Sequence, residues 1–221
     1  MASLQSQGTS TRPEVATGPS GRAVAQPMDP GLLQGLQQHL TMERQASAFY
    51  LANAIWFGER ELRGFSQFFH DESKSEASHA AGFADYLVAR GQSVQLEEIS
   101  APRQQWDSVE DVMAASFLLE ADVTASLQQL YSQAERVADT RTSVFLDPIV
   151  EGQIESEHQF AHLLGRVRFA AGQAAALLII YGELAAGQHN PNYLGERFNN
   201  CLLYTSPSPR DLSTSRMPSS A

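Results

Sequence analysis

Carboxylates recur in this chain where an amphipathic helix would carry leucine. At alternating steps of four and three, residues 36–57 give Leu36, Leu40, Glu43, Ser47, Tyr50, Ala54 and Phe57, so an apolar seam turns Glu43 toward the core. A second seam reads Phe65, Phe69, Glu72, Glu76, His79, Phe83 and Tyr86, with two carboxylates and an imidazole facing inward. The third is Val109, Met113, Ser116, Glu120, Val123, Leu127 and Leu130. The fourth is Leu146, Ile149, Gln153, Ser156, Phe160, Leu163 and Val167, and it brings the amide of Gln153 inside. An ionised carboxylate taken out of water costs several kcal/mol even after relaxation, so acids collected in a core need positive charge beside them. The one lysine, Lys74, is off the second seam, and no arginine lies on the four stripes. A bound cation supplies the charge most simply. Glu76 and His79 place an oxygen and a nitrogen ligand one turn apart on one face, the arrangement helical bundles use for two carboxylate-bridged irons or manganeses. Oxygen-rich ligands with one imidazole suit iron or manganese better than a structural zinc.

Long helices are needed to carry such seams. Asp29-Pro30 reads as an N-cap followed by proline at the first helical position, opening a segment to about Gly58. A second segment runs from about Glu59 to Arg90, with Gly91 placed to end it in the left-handed conformation. Residues 92–106 read as a long connection. Asp107 with Glu110 three residues later opens the third helix, and the fourth runs from about Asp139 to Ala171, interrupted or kinked near Pro148. The apolar segment Ala174–Ala186 reads as a short fifth helix. Each long helix has about 30 residues, or roughly 45 Å. Two short connections flanking one long one predict two antiparallel hairpins joined by a crossover, an all-α four-helix bundle of ferritin-like topology.

The 221 residues fit one domain with tails, and 25 acids against 15 Lys and Arg give a net charge of −10. An acidic shell of that kind disfavours nucleic acid and favours cations. The longest apolar run, residues 174–181, is far short of the roughly 20 residues that cross a bilayer. A single cysteine, Cys201, provides neither an intramolecular disulfide nor a zinc or iron–sulfur cluster, so a reducing, cytoplasmic setting is expected. Residues 1–27 are rich in Ser, Thr, Gly, Pro and Gln and read as a flexible tail. With Glu14 their only acid and Arg12 and Arg22 present, the alternative is an organelle transit segment leading to the plastid stroma. The main domain spans residues 28–187 and an irregular tail spans 188–221. From about 201 that tail, CLLYTSPSPRDLSTSRMPSSA, resembles a translated cloning or sequencing adaptor.

The segments MERQASAFY, ESKSEASH, FLLEADV and VEGQIESEH make the chain resemble the ferritins, specifically the non-haem, cyanobacterial-type ferritins, over residues 28–187. The separations of 33 residues from Glu43 to Glu76, 44 from Glu76 to Glu120 and 33 from Glu120 to Gln153 agree with that family's ferroxidase centre. The resemblance implies that Glu43 and His79 hold one iron, Glu76 bridges, Glu120 holds a second iron and Gln153 lies beside it. Tyr50 corresponds to the family's tyrosine next to the centre, an electron donor to the oxidant. The implied function is oxidation of Fe(II) by O2 or peroxide and storage of ferric mineral in a homo-oligomeric shell of 24 subunits. No haem is expected, because a bacterioferritin-like centre would want Glu-x-x-His where this chain has Gln153 and Ser156.

Other ligand-type residues have weaker readings. Glu72 relays iron inward or is an ordinary carboxylate near the bundle surface. Asp147 lines a channel for incoming iron between subunits or is a plain residue before Pro148. Glu151, Glu155, His158 and His162 form their own stripe about 200° around the fourth helix from Gln153, a solvated or shell-lining face with accessory iron sites as the lesser reading. His39 and His70 are expected on the surface, and Phe65, Phe68, Phe69 and Phe83 in the core. The competing functions are a non-storing di-iron or di-manganese oxidoreductase of peroxidase or catalase type, and a bundle that only binds partners.

Overall fold

The computed structural model describes residues 14–189; residues 1–13 and 190–221, with the unusual C-terminal string, lie outside the described residues. Five helices follow in order: α1 (Pro30–Gly58), α2 (Arg63–Ala89), α3 (Val109–Arg136), α4 (Thr140–Ala170) and α5 (Ala174–Ala185). Helix α1 lies along α2 and α3 along α4, the two hairpins meet chiefly through α1 and α3, and α5 packs against α2 and α4. Among the described residues the only strand-type pairing is an isolated bridge between Thr17 and Ala23. The fold is therefore all-α, four long helices with a short fifth, as the sequence implied.

The helix ends show why the chain turns where it does. Asp29 accepts a hydrogen bond from the Leu32 N–H at 3.0 Å, and Pro30 follows at the first helical position. Residues 59–62, expected as the start of α2, instead form the turn between α1 and α2, with Glu61 at φ 59°. A left-handed residue of that kind cannot continue a helix. Helix α3 is capped by Ser108, whose hydroxyl accepts from the Asp111 N–H at 3.1 Å, one residue later than the expected Asp107 cap. Pro148 does not interrupt α4, which runs 31 residues through it. The helical donor that proline denies to the Val144 carbonyl sits at an exposed position, where water can replace it.

The long crossover is fastened to α1 by side chains. Gln37 Nε2 donates to the Ser93 carbonyl at 3.0 Å, Arg44 Nη1 to Glu97 at 2.6 Å and Gln45 Nε2 to Ser100 at 2.9 Å. Residues 14–27, expected as part of a flexible tail, double back over the end of α2. Ser20 donates to the Gly91 carbonyl through its N–H and its hydroxyl, at 3.3 and 2.9 Å. Gly18 is needed at this crossing, because a Cβ there would run into the Gly91 carbonyl. Gly91 itself has φ +73°, as a helix-ending glycine should.

Two apolar clusters fill the bundle. One gathers Tyr50, Phe57, Phe65, Phe69 and Phe160, and the other Leu36, Leu40, Phe83, Leu87, Leu127 and Leu146. Along every seam the polar residues fall between them. At the end of the second cluster Arg90 and Asp139 form a buried pair, with Nη2 to Oδ2 at 2.6 Å and Nη1 to Oδ1 at 3.0 Å. Burial alone would raise the Asp139 carboxyl, but the Arg90 bonds outweigh it and hold it below its usual range. Removing the guanidinium would strand that carboxylate. Arg90→Met is expected to lower stability by about 3 kcal/mol, measured by denaturant unfolding; a change under about 0.5 kcal/mol would mean the pair contributes nothing to the fold.

Candidate metal centre

Glu43 and Glu76, on α1 and α2, are almost completely buried, while His79, one turn after Glu76, is 45% exposed at its side chain. His79 Nδ1 lies 2.8 Å from Glu76 Oε2 and 4.0 Å from Glu43 Oε2. One ligand atom from each of the three comes within 4.8 Å of the others, and among the described residues no other set of three or more His, Cys, Asp or Glu converges so closely. Opposite them, on α3, Glu120 is buried and held by protein donors. Tyr50 donates its phenolic hydrogen to Oε1, and Gln153 Nε2 donates to Oε2 at 2.8 Å and to the Glu120 carbonyl at 3.2 Å. Tyr50 is itself fixed, fully buried and stacked on Phe160 with ring centroids 5.4 Å apart and planes 4° from parallel.

Without a cation, burial favours the protonated, uncharged form of these acids. Burial raises the carboxyls of Glu43, Glu76 and Glu120 above the usual range, Glu76 to about 7. Glu72, half-buried one turn before Glu76, is pushed up to about 8 by burial and then by the Glu76 charge. The His79 imidazole is raised by its hydrogen bond to Glu76, so it is the one positive group these acids attract. Burial likewise lifts the Tyr50 phenol well above its ordinary value. A bound divalent cation would favour the ionised carboxyls, with Glu43, Glu76 and Glu120 supplying oxygen ligands and giving up protons. Three carboxylates, one imidazole and a nearby amide match the hard-to-borderline preference of iron or manganese.

Other expected site residues stay apart from this group. Asp147 is exposed and accepts a hydrogen bond from Tyr131 at 2.9 Å. Glu151 and Glu155 are exposed on α4, and His158 and His162 are half-buried beside them. The structure corrects one expectation outright. His39, expected on the surface, is fully buried, with Nδ1 2.8 Å from Ser126 Oγ and Nε2 2.8 Å from Glu43 Oε1. Burial holds its imidazole down, at about 4, so it is neutral. His39 lies beside the first seam, three residues after Leu36 and four before Glu43, and that spacing alone does not distinguish a solvent-facing histidine from one that meets the carboxylate.

Fold and geometry define a helical bundle that turns a carboxylate–imidazole group suited to divalent cations into its own interior. The family comparison agrees. The Ferritin-like domain matches residues 33–170, and the chain belongs to the Ferritin family. It is 28% identical to a bacterial non-heme ferritin of Staphylococcus epidermidis over 159 residues, covering 72% of this chain and 96% of that protein. It is 26% identical to the Staphylococcus aureus protein of the same name over 155 residues, covering 70% and 93%. Among solved structures, an open pore ferritin from Archaeoglobus fulgidus superposes with a TM-score of 0.70 at 26% identity, covering 72% of this chain and 98% of that one. A humanized archaeal ferritin gives the same TM-score at 25% identity, covering 72% and 96%. The bundle is thus a ferritin-like one. No helix among the described residues is long and apolar enough to cross a membrane.

The raised carboxyls predict a pH signature. With their protonation favoured in the folded state, Glu76 and Glu72 contribute stability that is fully present below about 4.5 and lost as pH rises through about 7 and 8. The metal-free protein should therefore melt at lower temperature at pH 8.5 than at pH 5.5, and a divalent cation should recover the difference at the higher pH. Calorimetric melting temperatures that rise with pH without metal would contradict this electrostatic picture.

Proposed function

We propose that the chain oxidises Fe(II) to Fe(III) at the interior group and delivers the product for storage as ferric mineral inside a shell of 24 copies. The observation that carries this reading is the convergence of Glu43, Glu76 and His79 across from Glu120, in a bundle whose family members include bacterial non-heme ferritins. Iron is the substrate. Glu43 and His79 bind one Fe(II), Glu76 extends between the two positions, and Glu120 binds the second with Gln153 beside it. Both metal positions use oxygen ligands that carry negative charge, which favours Fe(III) over Fe(II) and so lowers the barrier to losing an electron.

Each Fe(II) gives one electron to dioxygen or peroxide. Tyr50 stands ready to supply a further electron, its phenolic proton passing to Glu120 Oε1 along the hydrogen bond already in place. The aromatic wall of Phe69 and Phe160 around Tyr50 keeps water from that end of the group. Glu72, half-buried on the same face of α2, relays Fe(II) toward Glu76, and Asp147 belongs to a channel by which iron enters the shell. Glu151 and Glu155 serve as accessory positions on α4. The cytoplasm is the compartment proposed for the protein, and no haem takes part.

Stepwise aerobic addition of Fe(II) to the metal-free protein, followed by ferric absorbance, tests the reading. Rapid oxidation of about two Fe(II) per chain is expected from a two-metal site, with slower uptake continuing far beyond that and a particle of 24 chains in light scattering. Glu76→Ala should lose the rapid phase. Saturation at two with a small oligomer would instead favour the non-storing oxidoreductase, and a wild-type rate equal to that of buffer would remove the site assignment.

A further inference from the structure

His39 is a buried imidazole that the oxidation scheme does not use, and it touches a residue assigned to hold iron. Its ring is fixed from three helices. It sits on α1 one turn before Glu43, its Nδ1 meets Ser126 Oγ of α3 at 2.8 Å, and its centroid lies 4.6 Å from the Phe83 ring of α2. Nε2 stands 2.8 Å from Glu43 Oε1 and has no other hydrogen-bond partner. The other oxygen, Glu43 Oε2, is buried without a hydrogen-bond partner and is the one that faces His79 Nδ1.

A neutral imidazole offers one donor and one acceptor nitrogen. Once a bound cation has ionised it, Glu43 can only accept, so Nε2 must then carry the hydrogen. Nδ1 then accepts from the Ser126 hydroxyl, so the acceptor-only carboxylate sets the tautomer and Ser126, which can donate, satisfies the other ring nitrogen. The reverse tautomer would set the Nε2 lone pair against Glu43 Oε1 at a buried position, with neither atom satisfied. The two carboxylate oxygens thereby become inequivalent: Oε1 belongs to His39, and Oε2 is left for a metal ion.

We propose that His39, held at Nδ1 by Ser126, is a positioning residue that occupies Glu43 Oε1 and presents Glu43 Oε2 to the ion. This rests on the reading of Glu43, Glu76 and His79 as an iron-binding group. A histidine that only filled space in the core would be replaceable by leucine without consequence for metal binding. One that orients a ligand through its N–H would be replaceable by glutamine, which keeps a donor of similar reach, but not by leucine. Partners of this kind, behind a metal ligand, typically account for 10–100-fold in affinity.

The test is anaerobic Co(II) binding at fixed pH, read by visible absorption, with unfolding midpoints measured on the same samples. His39→Leu should weaken Co(II) by 10–100-fold while its unfolding midpoint stays at or above that of the wild type. His39→Gln should bind close to wild type. Co(II) affinity unchanged in His39→Leu, or as weak in His39→Gln as in His39→Leu, would overturn the proposal. If His39→Leu does not fold, the Ser126 pair decides: Ser126→Ala should weaken binding and Ser126→Thr should not, and equal affinities would overturn it. Failure of the underlying reading looks different. There the wild type itself would bind no Co(II), or Glu76→Ala would bind it equally well, and the proposal would fall with the site.

Discussion

Several carboxylates are buried together in this bundle with little protein charge to offset them, and the helices around them must hold that arrangement in place. Glu43, Glu76 and Glu120 are each no more than 5% exposed, and the nearest positive group is His79. Such an arrangement survives only if the surrounding helices are fixed by something other than the acids themselves, because unpaired buried charge weakens a fold. The two apolar clusters on either side do that. They clamp the helices above and below the acids, so the carboxylates cannot relieve their repulsion by moving into water.

Long helices follow from the same requirement. A site flanked by two cores needs seams that run past it in both directions, and the four main helices run 27 to 31 residues. Their ends are held by bonds that cross between hairpins. Arg90 on the α2 end bonds Asp139, which in turn caps α4 by accepting from Thr142 N–H at 3.2 Å, so the ends of two hairpins are fastened by one carboxylate. The crossover, sewn to α1 by Gln37, Arg44 and Gln45, allows the second hairpin to return alongside the first while leaving the bundle interior free for ligand side chains. Stability at the ends and along the outside is what allows electrostatic strain at the centre.

Much of this was legible in the sequence because helical periodicity is a strong code for which way a side chain points. Four-three spacing turned Glu43, Glu76, Glu120 and Gln153 inward without any other information, and the structure puts all four on interior faces. What periodicity does not encode is which atom meets which. It could not say that Tyr50 and Gln153 would bond Glu120, leaving Glu43, Glu76 and His79 as the converging trio. His39 was misread because the adjacent Leu40 already filled the seam, and a histidine beside it looks the same whether it faces solvent or a carboxylate. The strap at residues 14–27 was misread for another reason. Its composition is that of a disordered tail, and only the distant Gly91 carbonyl and the close approach of Gly18 give it an ordered path. The α2 start differs by a few residues because a left-handed residue such as Glu61 carries no marker in the sequence when it is not glycine, and the α3 cap differs by one because Asp107 and Ser108 are both good N-cap residues.

Whether the interior acids hold iron is decided by locating the metal. Crystals of the metal-free protein soaked with Fe(II) without oxygen would be measured on both sides of the iron absorption edge. Two anomalous peaks are expected inside each bundle, one ligated by Glu43, Glu76 and His79 and the other by Glu76 and Glu120. Iron bound only at exposed carboxylates such as Asp147 or Glu151, with no peak between the helices, would contradict that arrangement.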